Sequence, residues 1–402
     1  MSEKFGYPVI DCDGHVTEPL EIWTEYLDPA YREAAAEHFS IQNTPEGAIW
    51  VVEEFMRPKA DQLAVAYGQK TASPGAVTSA GAYFPYITVQ EIAAKPLAGR
   101  MWEPSEVMNP GGFDANARLK DLDLLGVDKT VIIPTFFAMV PGVKDPALAA
   151  ALCRAYNDWV WDYCSADRDR LHPLAMLPVQ DMELAKAELD RVVARGFHIL
   201  GARPNPMAGH RLDEERWYPF WRALEETGFA LIFHPFPTAE LEGGTRWCVE
   251  AGIPELGETL AFTMDNIVTL SSLMFHGVLD RFPGMKIAFL ESSCTWVPGI
   301  LDRLDKRFYL LVRRLAGDLP IKTLPSELFA RQCFISFEAA EHAAPALVEL
   351  YPNNLIWASD YPHHDADPPD PAVERMREHH VPLETEKKVM GANAGRLFGI
   401  AA

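Results

Sequence analysis

Eight short, almost continuously apolar segments recur along this chain and alternate with longer amphipathic stretches. Continuous apolar character is typical of parallel strands that are covered on both faces. The segments are residues 9–13, 129–135, 172–179, 198–205, 230–236, 286–293, 333–339 and 355–362. Because eight strands that alternate with helices can close into a ring, the pattern predicts an α/β fold of the (β/α)8, or TIM barrel, type. An open doubly wound sheet is the alternative.

Amphipathic stretches fill most of the gaps between these strands. The stretches that precede the second to fifth strands are residues 117–126, 145–164, 181–196 and 215–228. Several of them end in glycine, a common residue at helix C-termini. Residues 382–400 are predicted to form a terminal helix, and residues 1–402 are interpreted as a single barrel domain.

The connection between the first two strands is unusually long. It spans residues 14–128, far more chain than one crossover helix needs. We interpret residues 20–115 as a cap insertion over one mouth of the barrel. Within it, residues 39–55 have the pattern of a β-hairpin that turns around Pro45–Gly47. A second long connection, residues 237–257, follows the fifth strand.

Charge and cysteine usage limit the classes of function. The chain has 57 acidic and 36 basic residues, a formal net charge of −21, which argues against nucleic-acid partners and against docking on an anionic membrane. No apolar run reaches the ~18 residues that span a bilayer, and the N-terminus lacks a signal-peptide pattern. The six cysteines include no CxxC pair, which indicates reduced thiols and favours a cytoplasmic protein.

Metal ligands and acid–base groups stand where several predicted strands end. Asp13 and His15 lie at the end of the first strand, His234 at the end of the fifth and Asp360 at the end of the eighth. Because the carboxyl ends of barrel strands meet at one mouth, these side chains are expected to converge. Each residue alone could be a turn residue, a helix cap or a core histidine. Together they favour a site for Zn²⁺, Mn²⁺ or Fe²⁺.

Further carboxylates and a histidine stand close to these positions. Glu18, Glu291 and His363 could add ligands, in which case the site would hold two ions; one ion is favoured. For Glu18 the alternative is a residue in the first turn of a helix ahead of Pro19. Asp11 alternates with Cys12 along the first strand, so it is expected to share the face of Asp13.

Three other residues are candidates for substrate binding. Arg203 ends the fourth predicted strand, and an arginine at that place can bind a carboxylate through two parallel hydrogen bonds. Trp296 and Phe136 are among the aromatic residues near the predicted mouth. Together they predict an apolar pocket for a ring-bearing substrate.

Seven stretches of residues 1–20 and 110–400 resemble a known family. They are IDCDGHVTEP, RLKDLDLLGVDKTVIIPT, YNDWVWDYCSADRDRLHPLAMLPVQD, IFHP, GVLDRFPGMKIAFLESSCTWVP, WASDYPHHD and NAGRLFG. The chain is similar in them to the amidohydrolase-related (amidohydrolase 2) family of the amidohydrolase superfamily. The resemblance implies a TIM barrel with a divalent metal at its C-terminal mouth, and it places the ligands on Asp13, His15, His234 and Asp360.

The chain also departs from the superfamily pattern. Asp13 stands where many members have a histidine, and its oxygen donor makes Mn²⁺ or Fe²⁺ plausible beside Zn²⁺. The fourth strand ends in GARPNP without a lysine that could become a carboxylated bridge. The sixth ends with Glu291 where a histidine is expected. These departures argue against the bridged two-zinc site of some hydrolases.

The resemblance implies a metal-dependent enzyme, either a hydrolase or a non-oxidative decarboxylase (a carboxy-lyase). It would act on a small carboxylated or carbonyl-containing, ring-bearing substrate. Asp360 and His234 are the expected catalytic residues: Asp360 would accept a proton from metal-bound water in hydrolysis or protonate the ring carbon in decarboxylation.

Two other functional classes stay open. One is an oxygenase with a dinuclear non-haem iron or manganese–iron site on the same barrel. The other is a barrel without catalysis that serves as a partner subunit, which the intact set of four ligands argues against. For every functional class, the expected assembly is a homodimer or a hetero-oligomer with a paralogous chain.

Overall fold

The computed structural model describes residues 4–44, 47–52, 110–207, 209–235, 254–315, 319–363 and 366–401. Eight of its strands form one parallel sheet: β1 (Ile10–Val16), β4 (Lys129–Pro134), β5 (Leu171–Met176), β6 (Ile199–Ala202), β7 (Ala230–Phe233), β8 (Lys286–Phe289), β9 (Cys333–Phe337) and β10 (Leu355–Trp357). Two more, β2 (Phe39–Thr44) and β3 (Gly47–Val52), form an antiparallel hairpin.

The eight-stranded sheet follows chain order from β1 to β10, and each of its strand pairs is parallel. It closes where β1 meets the chain after β10, because the N–H of His15 donates to the carbonyl oxygen of Tyr361 at 2.7 Å. Every residue of β1, β5 and β9 is buried, as expected for strands covered by helices outside and filled with side chains inside. The predicted (β/α)8 barrel is confirmed.

Helices occupy the connections between the barrel strands. They are α1 (Arg32–His38), α2 (Ala115–Leu125), α3 (Pro146–Tyr163), α4 (Met182–Arg195), α5 (Tyr218–Thr227), α6 (Pro254–Phe275), α7 (Val278–Arg281), α8 (Val297–Leu315), α9 (Pro325–Gln332), α10 (Ala344–Leu350), α11 (Pro369–Glu378), α12 (Leu383–Lys387) and α13 (Asn393–Phe398). The four helices predicted before the second to fifth barrel strands are confirmed as α2 to α5.

Local sequence explains where these helices begin and end. At the start of α4, the Asp181 carboxylate accepts hydrogen bonds from the backbone N–H groups of Glu183 and Leu184, at 2.9 and 3.0 Å. The same helix ends at Gly196, whose φ of 104° few residues with a side chain adopt. Helix length therefore depends on the residues at its two ends.

The terminal helix predicted over residues 382–400 is confirmed. It runs without a break from α12 through a π-helical turn, Lys388–Ala392, into α13. In this turn Gly391 lies against the carbonyl oxygen of Pro8, where a side chain would not fit. The close approach docks the terminal segment on the chain that leads into β1.

The described part of the predicted cap begins with short helical turns and continues through α1 into the β2–β3 hairpin. The hairpin is confirmed, with Phe39 opposite Val52 and Thr44 opposite Gly47. The rings of Trp23 and Phe39 pack on Phe136, at centroid distances of 5.7 and 4.5 Å. Residues 53–109, and residues 237–253 of the second long connection, lie outside the described residues, so the extent of the cap stays a prediction.

Among the described residues, no helix is long and apolar enough to cross a membrane. The described cysteines are free and buried; they are Cys12, Cys153, Cys164, Cys294 and Cys333.

Candidate metal centre

A β-bulge in β1 positions the first two donors. The pairing of β1 with β4 shifts register between Asp11 and Gly14, and Asp13 and His15 stand on either side of Gly14. A side chain at Gly14 would collide with the hydroxyl of Thr130, so this close approach requires glycine. Bulges often redirect side chains beside functional sites. Here the bulge lies beside the carboxylate of Asp13 and the imidazole of His15, which are two residues apart in the chain.

The other two donors come from the ends of two further strands of the barrel, β7 and β10. His234 directly follows β7, and its N–H donates to the carbonyl oxygen of Ala202 at 3.0 Å. Asp360 lies beyond the end of β10, with a φ of 56°. A residue with a side chain rarely adopts this left-handed conformation, and such strain concentrates at functional sites.

Four side-chain atoms of these residues converge. Nε2 of His15 lies 3.1 Å from Oδ1 of Asp13, 3.1 Å from Nε2 of His234 and 3.4 Å from Oδ1 of Asp360. Nε2 of His234 lies 3.5 Å from Oδ1 of Asp13. Ligands that bind one metal ion at about 2.1 Å are themselves roughly 3.0 to 3.4 Å apart. The spacing therefore fits a divalent cation.

The hydrogen bonding of the cluster supports the same conclusion. Oδ1 of Asp13 is buried and has no hydrogen bond of suitable geometry among the described residues, although Nε2 of His15 is close. Nδ1 of His234 is 2.7 Å from the carbonyl oxygen of Pro235 and donates to it, which directs Nε2 toward the other donors. Buried lone pairs that face one another are costly unless a cation lies between them. The residues present thus fit a metal ion.

Charge and burial set the protonation of the donors. Burial alone would raise the pKa of Asp13, but the imidazoles of His234 and His15 hold that pKa well below its usual range. Burial lowers the pKa of His15, so its ring is neutral at pH 7. A carboxylate and a neutral imidazole are the forms that bind metal.

Thr135 and His363 extend the cluster on one side. Oγ1 of Thr135 is 3.2 Å from Nδ1 of His15 and 3.2 Å from Nε2 of His363. Nδ1 of His363 is 2.8 Å from Oδ1 of Asp360, and its ring stacks on His15 at a centroid distance of 4.0 Å. His15, Asp360 and His363 form a second group of three donors that could hold an ion.

Glu291 stands on the other side of His234. Its Oε2 is 3.2 Å from Nε2 of His234, and its φ of 49° is again left-handed. The end of β8 thus holds a carboxylate against the imidazole, as the sequence predicts for the mouth. Glu291 belongs to neither of the two groups of three donors found among the described residues.

The structure places Glu18 in a different environment. Both carboxylate oxygens accept backbone hydrogen bonds, from the N–H of Phe137 at 2.8 Å and from the N–H of Phe136 at 3.1 Å. Burial raises the pKa of Glu18 to about 7, against the lowering effect of these N–H groups. These two hydrogen bonds tie Glu18 to the loop after β4, and Glu18 belongs to neither donor group found among the described residues.

The predicted substrate-binding residues are spread over different parts of the mouth. Arg203 is buried at the end of β6 and lines a cavity. Phe136 is 2% exposed and belongs to the aromatic cluster with Trp23 and Phe39, so its ring is buried in that cluster. Trp296 is half-buried, and its Nε1 has no hydrogen-bond partner among the described residues.

Two residues of the site escaped the sequence analysis. Thr135, which bridges two imidazoles, is the last residue of the second predicted strand, and its position there was the available signal. Arg118 of α2 is fully buried, donates to the carbonyl oxygen of His15 and stacks on Tyr361 at 4.2 Å. Nothing in the amphipathic pattern of α2 distinguishes Arg118 from a surface arginine.

A family model described as Amidohydrolase matches residues 10–400 of the chain. This chain belongs to the amidohydrolase family. Among curated relatives, gamma-resorcylate decarboxylase of Polaromonas sp. (strain JS666) is 24% identical over 295 residues, which cover 70% of this chain and 86% of that protein. The family predicted from the sequence is confirmed.

Two solved structures show the shared amidohydrolase fold. An amidohydrolase from Mycobacterium avium subsp. paratuberculosis has a TM-score of 0.74 at 20% identity and covers 98% of this chain and 100% of its own. A mutant 5-carboxyvanillate decarboxylase from Novosphingobium aromaticivorans, with bound manganese and 3-methoxy-4-hydroxy-5-nitrobenzoic acid, has a TM-score of 0.68 at 20% identity and covers 98% of both chains. These likenesses show the fold, and the described residues of this chain supply two groups of donors that could hold a metal ion.

Proposed function

We propose that this amidohydrolase is a metal-dependent, non-oxidative decarboxylase of a small aromatic carboxylic acid. The observation that carries the proposal is the convergence of Asp13, His15, His234 and Asp360 at the mouth of the barrel. The decarboxylases among its relatives support lyase over hydrolase chemistry. The acidic donor of β1, Asp13, supports the same choice.

The metal would be held by Asp13, His15 and His234, with Asp360 at the edge of the site. Zn²⁺, Mn²⁺ and Fe²⁺ all accept such a mixture of oxygen and nitrogen donors, and the manganese in a related structure makes Mn²⁺ the first ion to test. A bound divalent ion supplies Lewis-acid chemistry, polarising the oxygens of a carboxylate.

Asp360 and His363 are placed to handle the proton. Loss of CO₂ from an aromatic acid requires a proton on the ring carbon, and the electrons of the broken C–C bond return to the ring. Asp360 would donate that proton from its carboxyl group. His363, whose Nδ1 is 2.8 Å from Oδ1 of Asp360, would return a proton from solvent for the next turnover.

The test is product analysis with the Mn²⁺-loaded full chain. We expect hydroxybenzoic acids to release one CO₂ for each decarboxylated phenol, equally with and without O₂. The variant Asp360→Asn should bind Mn²⁺ and lose turnover. Hydrolysis of an ester or amide without CO₂ release, or release of CO₂ only with O₂ consumption, would contradict the proposal.

The second donor group supports one alternative. His15, Asp360 and His363 could hold another ion next to the first, as a dinuclear oxygenase of iron or of manganese and iron requires. Metal analysis of protein purified without added metal separates the two functions. One equivalent per chain fits the decarboxylase; two equivalents that include iron, with O₂ uptake, fit the oxygenase. A chain without metal would favour the non-catalytic partner subunit.

We also propose that the protein is cytoplasmic and associates with a second copy. Large apolar side chains are exposed on α6 and α8; they are Leu260, Met264, Val268, Tyr309, Leu310 and Val312. Exposed apolar patches often mark interfaces between proteins. Light scattering should show a dimer for the wild type and a monomer for Met264→Glu with Leu310→Glu. A monomeric wild type, or association only with a paralogous chain, would contradict the homodimer.

A further inference from the structure

Tyr361 connects two donors of the candidate metal centre through its backbone. It directly follows Asp360 in the chain, and its carbonyl oxygen accepts the backbone N–H of His15 at 2.7 Å. Its own N–H donates to the hydroxyl of Ser359 at 3.0 Å. Because Tyr361 is covalently bonded to one donor residue and hydrogen-bonded to another, any shift of its backbone would displace Asp360 and His15 together.

Two residues of α2, outside the barrel, hold the side chain of Tyr361. The phenol hydroxyl donates to Oδ2 of Asp121. The guanidinium of Arg118 lies 4.2 Å from the centre of the Tyr361 ring, a distance at which a cation and an aromatic ring attract one another. Arg118 and Asp121 are three residues apart on α2 and therefore stand on the same side of the helix. One helical face thus holds both the ring and the hydroxyl.

Arg118 also contacts the first barrel strand. One of its terminal N–H groups donates to the carbonyl oxygen of His15, and its Nε donates to the carbonyl oxygen of Gly111 at 2.9 Å. A guanidinium carries five N–H donors on a rigid plane, so it can bind two carbonyl groups while it stacks on a ring. The backbone of His15 is therefore held at its N–H by Tyr361 and at its carbonyl group by Arg118.

The turn that precedes α2 packs directly on these contacts. Gly111 lies against the hydroxyl of Tyr361 and Oδ2 of Asp121, and a side chain at this position would collide with both oxygens. The carbonyl oxygen of Gly112 accepts the N–H of Thr17, in the chain just beyond β1, at 2.8 Å. The start of α2 is thus fastened both to β1 and to the chain after β10.

We propose that Arg118 and Asp121 are positioning residues of the metal centre and act on it through Tyr361. Their hydrogen bonds go to the carbonyl oxygen of His15 and to the Tyr361 hydroxyl, so they fix the backbone that carries His15 and Asp360. Donors that are already in place lose less conformational entropy when an ion binds, so these contacts should strengthen metal binding. This inference rests on the proposed function, which places a metal ion at these donors.

Calorimetric titration of the metal-free full chain with Mn²⁺ tests this role. Tyr361→Phe keeps the ring on Arg118 and removes the hydroxyl, and Asp121→Ala removes the acceptor. Each variant should bind Mn²⁺ about tenfold more weakly, because groups that orient ligands contribute roughly 10–100-fold to metal affinity. The double variant should bind about as weakly as either single variant, because both changes break the same hydrogen bond. Asp121→Asn keeps an acceptor oxygen and should retain most of the affinity.

A spectroscopic readout and a matched control separate positioning from general stability. The electron paramagnetic resonance spectrum of bound Mn²⁺ depends on the arrangement of its ligands and should change in Tyr361→Phe and Asp121→Ala. The control is Asp123→Ala, at an exposed residue of α2 whose carboxylate binds Arg170 at 2.8 Å. This variant should keep the affinity and the spectrum of the wild type, and urea unfolding of each protein records its stability.

Two results would overturn the positioning role. One is wild-type Mn²⁺ affinity in Tyr361→Phe and Asp121→Ala, whatever their stability. The other is a double variant whose loss of affinity equals the product of the two single losses. If Asp121→Ala does not fold, Tyr361→Phe decides alone, because it lacks only one oxygen atom. A wild type that binds no Mn²⁺ contradicts the proposed function itself, whereas Mn²⁺ binding that these variants leave unchanged contradicts only the positioning role.

Discussion

Two buried carboxylates on β1, Asp11 and Asp13, stand two residues apart in opposite situations. Asp11 accepts hydrogen bonds from the N–H and the hydroxyl of Ser359, at 2.9 and 2.8 Å, and from the hydroxyl of Thr130 at 3.0 Å. Oδ1 of Asp13 is within 3.5 Å of two imidazole nitrogens and has no hydrogen bond of suitable geometry among the described residues.

The difference indicates separate roles for the two carboxylates. Thr130 lies on β4, and Ser359 lies two residues beyond the end of β10, so the hydrogen bonds of Asp11 tie β1 to both of its neighbours in the barrel. A buried polar group with all its partners satisfied is a structural element. A buried carboxylate that faces other lone pairs needs a cation. The comparison therefore separates a structural carboxylate from a proposed ligand.

The largest expected effect is the loss of metal binding in His234→Ala. Removing a group that only supports a ligand weakens metal binding roughly 10–100-fold, so removing a ligand should weaken Mn²⁺ binding by more than about 100-fold. Calorimetric titration of the metal-free chain measures this. Thermal unfolding of the same metal-free protein checks that the variant is still folded. If the variant binds Mn²⁺ as tightly as the wild type does, His234 is not a ligand of the metal.

A third buried carboxylate, that of Glu18, should make the stability of the protein depend on pH. Its pKa rises from 4.5 to about 7 on folding, so the unfolded chain loses this proton first as the pH increases. The contribution of Glu18 to stability is complete below pH 4.5 and is lost as the pH rises through about 7, a change of roughly 3 kcal/mol. Urea unfolding at several pH values should show this slope in the wild type and its absence in Glu18→Gln. If the free energy of unfolding changes with pH in the same way in both proteins, the raised pKa does not belong to Glu18.

Asp11→Asn should lower the stability of the fold and leave metal binding largely unchanged. An amide cannot accept all the hydrogen bonds of the carboxylate, so the free energy of unfolding should fall by about 2 kcal/mol. Mn²⁺ affinity should change by less than about tenfold, in contrast to His234→Ala. Denaturant unfolding and calorimetry on the same preparation give both values. If Asp11→Asn abolishes Mn²⁺ binding and leaves stability intact, the distinction between the two carboxylates is wrong.

The smallest effect is expected for Thr135→Val. The change removes the hydroxyl next to Nδ1 of His15 and Nε2 of His363 while it keeps the shape of the side chain. Ligand imidazoles are oriented by such partners, so Mn²⁺ affinity should fall about tenfold. The matched control is Thr24→Val, at an exposed threonine whose hydroxyl donates to the carbonyl oxygen of Leu20; this variant should bind Mn²⁺ like the wild type. Equal affinities in both variants would show that Thr135 does not orient His15.

The sequence predicted the barrel and the four converging donors because each depends on local pattern and chain order. Continuous apolar runs specify parallel strands, and a parallel barrel brings strand ends together wherever they stand in the chain. His234 and Asp360 could therefore be assigned to the same mouth as Asp13, although residues 14–233 separate Asp13 from His234.

The roles of Asp11 and Glu18 could not be predicted in the same way. The expectation for Asp11 rested on regular alternation along β1, which the bulge between Asp11 and Gly14 interrupts. Glu18 is held by two N–H groups of the loop after β4, a contact between chain segments that no local pattern reveals. Sequence pattern identifies which residues face the mouth, and tertiary hydrogen bonding decides which of them are left for a ligand.

An anomalous difference map from crystals of the Mn²⁺-loaded protein tests the central claim most directly. The account predicts one manganese peak bonded to Oδ1 of Asp13 and to Nε2 of His15 and His234, with Asp11 bonded only to Ser359, Thr130 and the backbone. A map with no peak among these atoms, or with manganese bonded to Asp11, would contradict it.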